Sequence, residues 1–198
     1  MLYFSSDWHY GHEKILTMGT GRPFPSSDAM NTALLTNMAT LTYGDTLYFL
    51  GDAVCGVGAA KLDVIVETFA PLFTRGVIIH WIKGNHDPSL SRLSTTGLFA
   101  SVTEMLTIKV PVPPPAGVKS FAQMHKEIVL CHYPLEDWEF EANGTIHLHG
   151  HRHGAGTRHT TRRRLDIGVD GHDYKPWSLD EVMAEMRRTP WAAPNHHV

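Results

Sequence analysis

Five times along this chain a short apolar run ends in a tight polar cluster built from Asp, Asn, His and Gly. Leu2-Tyr3-Phe4 leads to Asp7-Trp8-His9, and the stretch from Thr46 to Leu50 leads to Gly51-Asp52. The run from Val77 to Ile82 leads to Gly84-Asn85-His86-Asp87, and Val129-Leu130-Cys131 leads to His132. Thr145 to Leu148 leads to Gly150-His151-Arg152-His153. In open α/β sheets, ligands bind beyond the carboxyl ends of the strands, so five such ends can converge on one place.

The intervening segments fit that plan. Met30, Leu34, Leu35, Met38 and Leu41 recur at helical spacing behind the candidate caps Ser26-Ser27-Asp28. Leu62, Ile65, Val66, Phe69 and Phe73 form the apolar stripe of a second helix over 59–73. The order β, α, β, α, β favours parallel strands joined by crossover helices. The second half predicts strands over 101–110, 127–131, 145–148 and 165–169, fitting a second, more antiparallel sheet. Ser178 with Glu181 three residues on forms a capping box for a last helix ending near Arg188. The expected organisation is a single domain over 1–188 and a loosely ordered tail over 189–198. Pro111 to Gly117 reads as a loop.

Composition narrows the class. With 198 residues the chain can bury one sizeable core. It shows no apolar run near the roughly 20 residues of a membrane span and no secretory leader. A net charge of −3 gives no support to a dedicated nucleic-acid binder. Cys55 and Cys131 are too few for a disulfide framework, so a reducing cytoplasm is expected. Histidine is abundant, at 14 residues, and imidazole is a good ligand for intermediate metals near neutral pH.

The clusters deliver two Asp, one Asn and several His to the strand ends, an oxygen and nitrogen ligand set without thiolate. In extended chain, residues i and i+2 share a face, so Asp7 with His9 and His151 with His153 could each aim at one site. Glycines 51, 84 and 150 would let the backbone turn sharply. Each cluster alone is weak, but five in this order point to a metal site.

In these motifs the chain resembles the calcineurin-like metallophosphoesterases. The pattern Asp-x-His, Gly-Asp, Gly-Asn-His-Asp, His and Gly-His-x-His spans Asp7 to His153, about three quarters of the chain. Asp7-Trp8-His9-Tyr10-Gly11-His12, Arg22-Pro23-Phe24, Gly168-Val169-Asp170 and the segment from Lys175 to Glu181 look like a small bacterial and phage subgroup. The resemblance implies an α/β (α+β) four-layer sandwich of two mixed β-sheets flanked by helices. It implies two divalent cations. The first is held by Asp7, His9, Asp52 and His153, and the second by Asn85, His132, His151 and the shared Asp52. His86 would serve the leaving-group oxygen as acid or charge stabiliser, with Asp87 orienting it. One position departs from the pattern: Ala53-Val54-Cys55 follow Asp52 where many members carry Asp or Arg.

Two cations sharing one aspartate lower the pKa of a bridging water, which then attacks phosphorus in line. The donor set suits Mn, Fe, Zn or Ni, with Mn²⁺ the expected choice in vitro. The leading expectation is a phosphodiesterase for small nucleotide-like or cyclic-nucleotide phosphoesters. A phosphomonoesterase, a nuclease using the basic run Arg162-Arg163-Arg164, and a non-catalytic scaffold are the competing readings. The basic run is more simply a solvated hairpin. His12 and Arg22 are candidates to contact substrate, or in turn a buried neighbour of the site and a solvent-facing arginine. Arg152 should point away from the metals, His147 and His149 should pack near them, and Cys131 should be a small core residue. Trp138, Trp177 and Trp191 are core by default, and Trp138, Trp191 and the proline-rich loop could serve an oligomer interface.

Overall fold

The computed structural model describes residues 1–112, 124–154 and 162–188, so the tail over 189–198, Trp191 and most of the proline-rich loop lie outside the described residues. In chain order the elements are β1 (Leu2–Ser5), α1 (Ser27–Met38), β2 (Thr46–Phe49), α2 (Lys61–Thr74), β3 (Ile78–Ile82), α3 (Leu90–Ser94) and β4 (Ser101–Thr103). There follow β5 (Met105–Val112), β6 (Met124–Cys131), β7 (Ile146–His149), β8 (Arg164–Asp166), β9 (Trp177–Ser178) and α4 (Leu179–Arg188).

Two sheets result, ordered β4-β3-β2-β1-β9 and β5-β6-β7-β8. In the first, β1 to β4 run parallel and β9 closes the β1 edge antiparallel. Strand alternation divides the apolar residues between two cores. Leu47, Phe49, Ile79 and Trp81 face α1 and α2, where they meet Met30, Leu34, Ile65 and Phe69. Phe4, Leu50 and Ile82 face the other way and pack with Ile128, Leu130, Ile146, Leu148 and Leu165 of the second sheet. Val182 and Met186 of α4 join that inter-sheet core. The caps act as the residue types predict: the Ser26 Oγ accepts from Ala29 N at 3.2 Å, and Glu181 accepts from Ser178 N at 2.8 Å.

Two local expectations are corrected. The strand expected over 101–110 is two strands in two sheets. β4 pairs with β3 and β5 with β6, and the chain turns between them at Glu104. There the Thr103 carbonyl accepts from Lys83 N at 2.8 Å, while its hydroxyl donates to the Met105 carbonyl at 2.9 Å. An unbroken β-rich run carries no mark of where the pairing partner changes. The second sheet is mixed rather than mainly antiparallel, because only β5 and β6 are antiparallel while β6, β7 and β8 run parallel. β9 and α3 are too short to leave a periodic signal.

Candidate metal centre

All five polar clusters lie beyond the carboxyl ends of β1, β2, β3, β6 and β7. The loops are laced together by main-chain bonds: Asp7 N donates to Gly51 O and His9 N to Asp52 O, both at 3.0 Å, and Gly150 N donates to His132 O at 2.9 Å. The pairs at i and i+2 do not share a face through extended backbone. Asp7, His9, Asp52, His151 and His153 all adopt left-handed φ of 50–69°, five of the eight non-glycine residues that do so among those described. That conformation costs about 1–3 kcal/mol per residue and persists where surroundings over-determine it, as at functional sites. Gly84 and Gly150 serve close approach rather than a sharp turn. A Cβ on Gly84 would stand 2.2 Å from Asp52 Oδ1, and one on Gly150 2.3 Å from Asp7 Oδ2.

Two groups of ligand-bearing side chains result. Asp7, His9 and His153 form one, and Asp52, His132 and His151 the other, each with ligand atoms within 4.8 Å of one another. Asn85 Oδ1 joins the second, 3.0 Å from His132 Nε2 and 2.9 Å from His151 Nδ1. Asp52 Oδ2 stands between the groups, 3.3 Å from His132 Nε2 and 3.9 Å from His9 Nε2. The polar atoms fit cations: Asp7 Oδ1 and both ring nitrogens of His9 are buried without a hydrogen-bond partner, a costly state unless a ligand completes them.

Neighbours set which ring nitrogens face inward. His132 Nδ1 donates to the Leu50 carbonyl at 2.7 Å, leaving Nε2 toward Asp52. His153 Nδ1 lies 2.9 Å from Asp170 Oδ2, the arrangement that orients a metal-binding histidine. Asp170 in turn takes a bidentate pair from Arg22, at 2.7 and 2.8 Å. Arg22 also donates to the carbonyls of Trp8 and Asp7, both at 2.7 Å. Arg22 therefore lies buried beneath the Asp7–His9 loop, neither solvent-facing nor open to a phosphate. Asp170 is the orienting residue that reasoning from clusters missed. Its signal was Gly168-Val169-Asp170, which no strand-end rule picks out.

Burial and charge shape the protonation of the metal-free site. Burial pushes the Asp7 carboxyl up to about 7 and the His9 imidazole down to about 3. Burial would also lower His132, but its bond to Asp52 and the charges of Asp7 and Asp52 hold it up at about 9. Burial would raise Asp52, yet the His132 partner and the His86 N–H hold it at about 2.

His86 is exposed at the rim, its ring 5.2 Å edge-on from His9, while its backbone N–H donates to Asp52 Oδ1 at 2.8 Å. Asp87 does not turn toward the His86 ring. Its Oδ2 accepts from Gly84 N and Trp81 Nε1, both at 2.9 Å, and so ties the loop to β3. The position after Asp52 that departs from the family pattern is filled, since Cys55 Sγ lies 3.9 Å from His86 Nδ1. His12 stacks against His9 at 5.5 Å. His147 and His149 are buried on the outer face of the second sheet, where His147 Nε2 accepts from Leu135 N at 3.1 Å. The basic run is engaged rather than solvated: Arg162 pairs with Glu141 and lies over Trp138, and Arg164 donates to the Leu135 carbonyl at 2.7 Å. Trp138 is buried within the chain, 8% exposed.

The description "calcineurin-like phosphoesterase" matches residues 2–176. The chain belongs to the calcineurin-like phosphoesterase family. It is therefore a metal-dependent phosphoester hydrolase on a small substrate, and the family implies divalent metal ions, for which these groups are candidate ligands. The chain is 26% identical to an uncharacterized protein of Methanocaldococcus jannaschii, over 92% of this chain and 89% of that one. It is 29% identical to the Gene 66 protein of Mycobacterium phage D29, over 91% and 93%. A solved protein of unknown function from Aquifex aeolicus shares the fold, with a TM-score of 0.60 at 22% identity over 93% of this chain and 98% of that one. Among the described residues no helix is long and apolar enough to cross a membrane.

Proposed function

We propose that this calcineurin-like phosphoesterase is a phosphodiesterase for small nucleotide-like or cyclic-nucleotide substrates. Asp7, His9, Asp52 and His153 would hold one cation, and Asp52, Asn85, His132 and His151 the other. When bound, a pair of divalent cations supplies the Lewis-acid charge that acidifies water and offsets charge building on the phosphoryl oxygens. The chain's own residues do the rest. Asp52 stands where it can serve both cations, and Asp170 fixes the His153 ring. His86 stands exposed where it can donate a proton to, or hold charge on, the departing oxygen. Cytoplasmic residence suits the two free cysteines.

The observation that carries the diester preference is Arg22. A monoester brings about one more negative charge than a diester near pH 7. Arg22, the candidate to contact a substrate phosphate, is instead committed to Asp170 and two main-chain carbonyls, so it is not free to offset that extra charge. With Mn²⁺ added, kcat/KM for bis-p-nitrophenyl phosphate should exceed that for p-nitrophenyl phosphate. A reversed ratio would replace the diesterase by a phosphomonoesterase, and the absence of metal-dependent turnover on a panel of both classes would remove the enzyme reading.

A further inference from the structure

Among the described residues a third group of ligand-bearing side chains lies at the site, made of His9, Cys55 and His86, its ligand atoms also within 4.8 Å of one another. The two-cation scheme uses only His9 of the three. Cys55 Sγ and His86 Nδ1 are 3.9 Å apart. Neighbouring sulfur and nitrogen ligands of a tetrahedral zinc-like ion stand roughly 3.4–3.6 Å apart, so a small inward movement would close on an ion. Both side chains can make that movement, since His86 is exposed and Cys55 partly so.

The second observation is His9 itself. A metal-binding histidine ordinarily donates its other ring N–H to an oxygen acceptor. His132 and His153 do so, toward Leu50 and Asp170. His9 is 4% exposed, and neither of its ring nitrogens has a hydrogen-bond partner. One can serve the first cation and the other, once deprotonated, a second, and the His86 ring lies 5.2 Å from the His9 ring. A thiolate and two imidazoles make a softer donor set than the carboxylate, amide and imidazole ligands next to it, and so select a different ion.

We propose that Cys55, His86 and His9 form a third cation site, for a thiophilic divalent ion of the zinc, cadmium and cobalt class. The Cys55 thiol proton and the His9 ring N–H proton both leave to solvent as the Sγ–metal bond and the second His9 nitrogen–metal bond form, so His9 serves the two cations as an imidazolate. An ion held there takes the His86 imidazole away from the leaving group, so the site is inhibitory. That consequence rests on the role proposed for His86, whereas the existence of the site does not.

Protein loaded with Mn²⁺ and titrated with Co²⁺ tests both halves. The two-cation ligands contain no sulfur, so thiolate-to-cobalt charge-transfer absorption reports a cysteine ligand alone. Absorption worth one thiolate per chain is expected, lost in Cys55→Ser and Cys55→Ala and kept in Cys131→Ser. No such absorption in the unmodified protein, or its persistence in Cys55→Ser, would overturn the site. In turnover, the Cd²⁺ concentration that halves bis-p-nitrophenyl phosphate hydrolysis should rise at least roughly tenfold in Cys55→Ser, each protein being compared with its own uninhibited rate. Equal sensitivity would overturn the inhibitory half. Absorption without any turnover would uphold the site while the phosphoesterase reading failed.

Discussion

Asp52 and His132 form a buried pair in which the imidazole keeps its proton, while Asp7 close by is raised toward neutrality by burial. A cation needs these ligands deprotonated. His132, held at about 9, carries a proton at pH 7 in the metal-free protein, and that proton must leave when the second cation binds. Metal affinity should therefore rise with pH from 7 toward 9, and binding should release protons. Calorimetric titration in buffers of different ionisation enthalpy reads this directly; a binding enthalpy independent of buffer would contradict it. Asp170 acts on the same centre from behind. In Asp170→Asn the His153 ring loses its charged partner and the buried Arg22 its counter-charge. Affinity for the first cation should fall roughly 10–100-fold, with a stability loss of about 3 kcal/mol. Metal titration and denaturant unfolding measure the two effects separately, and wild-type affinity in the variant would show that His153 needs no such brace.

At the level of elements, the centre depends on how closely the strand-end loops can approach. The loop after β7 passes over the loop after β1 so tightly that a Cβ on Gly150 would stand 2.2 Å from Ser6 Oγ as well as against Asp7. Gly150→Ala should push Asp7 outward. Overpacking of this kind costs about 1–3 kcal/mol, and the variant should retain fewer than two metal equivalents after purification in Mn²⁺. Elemental analysis that still finds both ions would mean the loop yields without moving Asp7. The same closeness explains the left-handed ligand residues: short loops between laced main chains leave no room for extended backbone. Parity arguments suited to strands therefore rest on a backbone these residues do not have, and they say nothing useful about Arg152, which lies between two such turns.

For the whole molecule, strain, unpartnered polar atoms and closely packed histidines all gather where five loops meet, so the cations should contribute to folding. Each ion bound only by the folded state adds about 2.7 kcal/mol at a free concentration of about 100 times Kd. Chelator should lower Tm and Mn²⁺ restore it in scanning calorimetry, and an unchanged Tm would mean the loops hold their shape without help. Much of this was legible along the chain. Periodicity marked the two long helices and the first three strands, the capping box at Ser178 marked the last helix, and each polar cluster marked residues that gather at the candidate site. These are local signals, carried by spacing within a dozen residues. The switch of sheets at Glu104, the burial of Arg22 under the Asp7–His9 loop, the seat of Asp87 on Trp81 and the approach of Cys55 to His86 were not legible. Each depends on which distant segment occupies the neighbouring space. An arginine beside a metal loop looks alike in sequence whether it meets a phosphate or an aspartate 148 positions away. Residue type sets what a side chain can bind, and packing chooses which partner it reaches.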